Sequence, residues 1–125
     1  MGGCKRTLKK IMKEIPDGWV IVKITDTSLD KNPPVYKVFA SWRGGYLDRD
    51  SWKMNSGIKS VEETDTHYIF YGYSGSEYHC DKRYYGNSTG YAGMILQGII
   101  ERAYKKGYLI EELPHNYNFK DIEKV

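Results

Sequence analysis

The stretch Tyr84–Gly107, YYGNSTGYAGMILQGIIERAYKKG, decides the fold. A Gly-Asn-Ser-Thr-Gly elbow leaves a strand and feeds one long helix. From Tyr91 onward, Met94, Ile95, Ile99, Arg102, Ala103 and Lys106 recur at helical spacing. Leu96, Ile100 and Tyr104 form a second stripe beside them, so the apolar face is broad. Gln97, Glu101 and Lys105 mark the wet side. Ser88 or Thr89 is the expected N-cap, because a short hydroxyl accepts from the orphan N–H groups of a first turn. Gly107 follows two lysines at the position of a left-handed stop. The predicted helix has about 16–18 residues and is roughly 25 Å long at 1.5 Å rise per residue. The elbow has two readings. It is an ordinary cap, or its free N–H groups belong to an anion site.

Outward from this helix, the preceding residues read as strands. Trp19–Thr25 places Val20, Val22 and Ile24 on one face, and Val35–Trp42 is a second strand. Arg43-Gly44-Gly45 predicts a hairpin turn into a segment starting at Tyr46 and Leu47. Ile58–Glu63, Thr66–Tyr73 and Glu77–Tyr84 follow as further strands. A two-residue Ser74-Gly75 turn pairs Tyr71 with Tyr78 and Ile69 with Cys80, leaving Phe70 and His79 on the opposite face. Tyr108–Ile110 adds a short edge strand. Near the start, residues 4–15 read as an amphipathic helix, with Leu8, Ile11, Met12 and Ile15 on one face. Lys5, Arg6, Lys9, Lys10 and Lys13 make its other face the densest basic cluster. In the tail, Tyr117, Phe119 and Ile122 are placed to dock as a single turn or to clasp a neighbour.

The expected fold class is α+β: an antiparallel sheet of about five or six strands, a short N-terminal helix and one long C-terminal helix packed on the sheet. With 125 residues, residues 1–125 form one expected domain. One helix covers one sheet face. The other face, rich in Trp and Tyr, then needs cover, and a homodimer or higher homo-oligomer supplies it.

The composition narrows the function classes. Lysine and arginine number 19 against 16 acidic residues, a net charge of +3. That field is weak for a dedicated DNA binder, so nucleic acid is an unfavoured partner. Twelve tyrosines suit half-wet binding surfaces or cross-strand packing. Cys4 and Cys80 lack zinc spacing and read as free thiols of a reducing cytoplasm. No apolar run reaches a membrane span of ~18 residues, and the start lacks a secretion or myristoylation pattern. Neither a metal nor a cofactor is expected.

Catalytic patterns are weak. His67, His79 and His115 lack metal-ligand spacing. In a strand, Cys80 points away from His79 and Asp81, so these three do not form a nucleophile set. The carboxylate pairs Asp48/Asp50, Glu62/Glu63 and Glu111/Glu112 lie at exposed turns. The expected protein is therefore not an enzyme but a binder. Asn87, Ser88, Thr89 and Gly90 would meet phosphate or ribose. Tyr78 and Tyr84 offer stacking surfaces, while Arg102, Lys105 and Lys53 supply cations. Arg102 and Lys105 lie about 18–23 Å along the helix from its start, so only a site shared between subunits joins both ends.

The aromatic hairpin Tyr71–Tyr84, the Asn87-Ser88-Thr89-Gly90 turn and the basic helix end Arg102, Lys105, Lys106 give a layout that resembles small phage anti-defence proteins. Within these it is most similar to the Thoeris anti-defence sponges. The resemblance implies sequestration, without destruction, of a nucleotide-derived immune signal such as a cyclic ADP-ribose or cyclic oligonucleotide. It implies a small nucleotide-like ligand held between subunits in the cytoplasm of a bacterial host cell. Two alternatives remain open. One is an anti-CRISPR-type inhibitor that contacts a bacterial defence protein through the basic helix or exposed aromatics. The other is an RNA-binding module.

Overall fold

The computed structural model describes residues 12–28, 33–44 and 50–124. Eight strands are β1 (Met12–Glu14), β2 (Gly18–Asp26), β3 (Val35–Trp42), β4 (Ser51–Met54), β5 (Ile58–Glu63), β6 (His67–Gly72), β7 (Ser76–Asp81) and β8 (Tyr108–Glu112). The helix α1 spans Gly90–Lys105. The fold class is α+β, but the strands form two four-stranded sheets rather than one. Their orders are β1-β7-β6-β5 and β4-β3-β2-β8. All pairings are antiparallel except β1 with β7.

Strand β2 explains the layering. Residues 18–22 are buried without alternation, because this central strand has cover on both faces. Trp19 and Ile21 face the other sheet, where they join Val38, Ala40, Phe70, Cys80 and Phe119 in one core. Val20 and Val22 face α1 and meet Phe39, Ala92, Leu96 and Ile110 in a second. The molecule is thus sheet, sheet, helix. The aromatic face expected to need a partner subunit is covered by the second sheet of the same chain. The tail docks as well: Phe119 and Ile122 are 1% and 4% exposed and close the inter-sheet core.

Two further expectations are corrected. Met12–Glu14 is not helical; it pairs in parallel with Ser76–Tyr78 on the edge of β7. There its backbone gains ladder partners that a surface helix would have to make alone. Ile15 is not helical either, and residues 4–11 of the predicted N-terminal helix, including the basic residues before position 12, lie outside the described residues, as do Tyr46 and Leu47. The β6–β7 register also differs by one residue: Phe70 pairs with Tyr78, Tyr68 with Cys80 and Ile69 with His79. The loop is three residues long, Tyr73-Ser74-Gly75. Gly75 carries φ +95°, and its N–H donates to the Gly72 carbonyl at 3.1 Å. A left-handed glycine closing a three-residue loop shifts the pairing, and a one-residue shift exchanges the faces. Phe70, Tyr78 and Cys80 therefore go inward.

Candidate functional site

The expected site residues fall in three places. The first is the elbow. Thr89 is the N-cap of α1, and its hydroxyl accepts from the Ala92 N–H at 3.1 Å. The Ser88 N–H donates to the Ser41 hydroxyl at 3.0 Å. The Gly86 N–H donates to the Trp19 carbonyl at 2.7 Å, and the Gly93 N–H to the Thr89 carbonyl at 3.2 Å. Gly18 makes this close seating on β2 feasible. A Cβ there would lie 2.5 Å from the Gly86 carbonyl oxygen and 2.6 Å from the Ser88 nitrogen.

The elbow thus turns the amides of Gly86, Ser88, Ala92 and Gly93 onto its own chain, as an ordinary cap does. Asn87 Oδ1 and Ser88 Oγ are buried without a hydrogen-bond partner among the described residues. Gly90 starts the helix on the exposed side. Tyr84 is exposed, with the Arg83 guanidinium 4.9 Å from its ring centroid. Tyr85, its neighbour, is the structural member of the pair. Its hydroxyl accepts from the Ile21 N–H and donates to the Leu113 carbonyl.

The second place is the far end of α1. Arg102 and Lys105 are exposed in its last turn, where cations complement the helix dipole. They lie on the same helix as the elbow but at its other end, so one chain does not bring the two groups together.

The third place joins Tyr78 and Lys53 in a cleft of about 640 Å³ along the seam where the sheets part. The volume is that of a small-ligand site, roughly 300–1,000 Å³. Tyr78 is only 3% exposed; its ring belongs to the inter-sheet core and is closed to a stacking base. Burial first, then the nearby Glu14 and Cys80, push its hydroxyl up to about 12, so it keeps its proton near neutrality. Lys53 Nζ donates to Glu14 Oε2 at 2.6 Å, an ion pair that ties β4 to β1 across the seam.

Hydroxyls complete the cleft. Ser56 Oγ lies 3.2 Å from Ser74 Oγ, which lies 3.5 Å from Ser76 Oγ. The chain of three serines links the β4–β5 turn to the β6–β7 turn. Asn55 holds the first turn in place: its Oδ1 accepts from the Val38 N–H at 2.9 Å, and its Nδ2 donates to the Gly57 carbonyl at 3.3 Å. None of these residues reads as a site candidate in the sequence, because Ser56 lies in the β4–β5 turn while Ser74 and Ser76 lie in and beside the β6–β7 turn. Their convergence requires the two-sheet fold.

Among the described residues, the Cys80 thiol is withdrawn from solvent. Cys80 is fully buried, and burial pushes its pKa well above the ordinary range. His79 faces the other side of the strand, where its Nε2 lies 3.0 Å from Glu77 Oε1. Among the described residues no cluster of His, Cys, Asp and Glu is arranged to hold a metal, and no helix is long and apolar enough to cross a membrane. No protein-family model, curated protein or solved structure matches this chain.

Proposed function

We propose that this chain is a non-enzymatic binding protein for a small nucleotide-like ligand, which it takes in the seam cleft rather than at the elbow. The observation that carries the reading is the meeting of the Lys53–Glu14 pair, the Tyr78 hydroxyl and the Ser56-Ser74-Ser76 chain around one volume of ligand size. A nucleotide asks for a cation near phosphate, an acceptor for a base amino group and neutral hydroxyls for ribose. Lys53, Glu14 and the serines supply these in turn. Sequestration fits the site chemistry, since the buried Cys80 and the outward His79 supply no nucleophile and base. The phage anti-defence resemblance sets the first ligands to try: cyclic dinucleotides, cyclic trinucleotides and cyclic ADP-ribose isomers.

Two measurements test the reading. Heating the purified protein and analysing the released small molecules by mass spectrometry is expected to yield a nucleotide. Titration calorimetry with the ligand panel is expected to give saturable binding that Lys53→Ala weakens about tenfold or more, as loss of a charge-assisted hydrogen bond of roughly 1.5–3 kcal/mol implies. No released nucleotide and no heat across the panel would overturn it. Equal affinity of Lys53→Ala and the parent protein would move the site elsewhere.

A further inference from the structure

Strand β8 ends the second sheet: β2 lies on one side of it, and among the described residues no strand pairs with the other. The pairing pattern fixes which backbone groups face out. The Thr27 N–H donates to the Gly107 carbonyl, and the Leu113 N–H donates to the Ile21 carbonyl. In an antiparallel ladder such bonded pairs alternate. Residues 107, 109, 111 and 113 therefore turn their polar groups toward β2. Tyr108, Ile110 and Glu112 turn theirs outward. An open edge of this kind is a template for another strand.

The edge is also apolar and self-complementary in charge. A groove of about 330 Å³ runs beside it, lined by Ile100, Glu101, Tyr104, Lys105, Leu109 and Ile110. Tyr104 is 72% exposed, Tyr108 42% and Leu109 39%. Lys105 and Lys106 lead into β8, and Glu111 and Glu112 end it. One end of the strip is basic and the other acidic. An antiparallel two-fold pairing lays each end on its opposite, as an isologous interface requires.

We infer that a second copy of this chain adds to the β8 edge, antiparallel and centred on Ile110, to give a two-fold dimer with one continuous eight-stranded sheet. In this register Ile110 faces Ile110 of the second copy, Tyr108 faces Glu112, and Leu109 faces Glu111. The outward N–H and C=O groups of Tyr108, Ile110 and Glu112 bond across the axis. No glutamate stands opposite a glutamate, so the acidic end does not oppose pairing. The helices lie on the same face of the joined sheet, and Tyr104 gains cover beside the axis. The interface is at the opposite edge of this sheet from β4 and Lys53, and it does not rest on the ligand reading.

Sedimentation equilibrium over a concentration series tests the dimer. The parent chain of 14.5 kDa is expected to sediment at twice that mass. Glu112→Pro deletes one outward N–H and leaves the bonds to β2 intact; it is expected to weaken dimerisation tenfold or more with an unchanged circular dichroism spectrum. Glu112→Lys is expected to do the same through charge, and adding Lys105→Glu and Lys106→Glu is expected to restore the dimer. That rescue separates strand pairing between copies from general surface stickiness. A monomer at all concentrations would overturn the proposal. So would a dimer indifferent to the folded Glu112→Pro and Glu112→Lys variants, or a dimer that the charge reversal fails to rescue. A foreign strand-bearing protein seated on this edge in place of the second copy would overturn it as well.

Discussion

The two cores of this molecule are built from different materials. Between the sheets, aromatic rings dominate. Trp19 lies 5.6 Å from Phe70, 4.7 Å from Tyr85 and 5.5 Å from Phe119, centroid to centroid, in tilted and edge-on geometries. Under the helix the buried set is mainly aliphatic and includes Val20, Val22, Leu96 and Ile110. Much of its cover, among it Ile95, Ile99, Ile100 and Ala103, is only half-buried. Edge-on rings gain quadrupole attraction beyond area burial, and their polar tips need partners. The aromatic core is therefore directional: Trp19 Nε1 donates to the Asp81 carbonyl at 2.7 Å. The aliphatic core asks only for volume and tolerates exchange. Specificity of the fold concentrates between the sheets.

The largest effect expected from this contrast is at Trp19. Trp19→Ala removes a ring that is 1% exposed and should cost about 3–5 kcal/mol of unfolding free energy. Leu96→Ala, equally buried, should cost about 2–3 kcal/mol, the low part of the range for such changes, because its half-exposed neighbours are able to close in. Urea unfolding followed by fluorescence and circular dichroism measures both. Equal losses would erase the distinction between the cores.

Next in size is Tyr85→Phe. The ring stays, but the hydroxyl that joins Ile21 to Leu113 goes. Ile21 is fully buried, so its N–H loses this partner away from water, at about 1–3 kcal/mol. Hydrogen exchange at the Ile21 amide should accelerate more than at Val22. A loss below about 0.5 kcal/mol would mean that water or a shifted backbone replaces the hydroxyl.

The contrast also marks what the chain discloses locally. The helix was legible because its period is carried by contiguous residues, and its cap and stop sit at the ends where they are expected. Strands β2, β3, β5 and β6 were legible from runs of branched and aromatic residues. Their division into two sheets was not. Trp19 and Val20 read as one apolar stretch, yet they serve different cores, and only the course of the chain decides which. The β6–β7 register turned on whether Tyr73 belonged to strand or loop, a matter of one glycine's φ. Met12–Glu14 took a strand conformation because β7 offered an open edge, which outweighs a weak helical pattern. The seam cleft was half legible: Lys53 and Tyr78 stood out by type. The serines around them did not, since a serine in or beside a turn is ordinary until two turns converge.

The smallest expected effect sits on the rim of the aromatic core. Asp81 ends β7 and accepts from the Arg83 backbone N–H at 2.9 Å and from the guanidinium at 3.1 and 2.8 Å. The side-chain bond, then the backbone bond, hold its carboxyl below the ordinary 3.8, at about 2. A carboxylate with a depressed folded pKa binds fewer protons folded than unfolded, so stability from this group is complete above pH 4 or so and falls as pH drops toward 2. Asp81→Asn keeps an acceptor for the Arg83 N–H but loses the titration. Its unfolding free energy should run nearly parallel to the parent's above pH 5 and converge on it below. The Trp19 bond to the Asp81 carbonyl is backbone and survives the change, so tryptophan fluorescence of the folded variant should match the parent. A variant whose stability falls as steeply as the parent's between pH 4 and 2 would assign the acid sensitivity of this rim to other carboxylates.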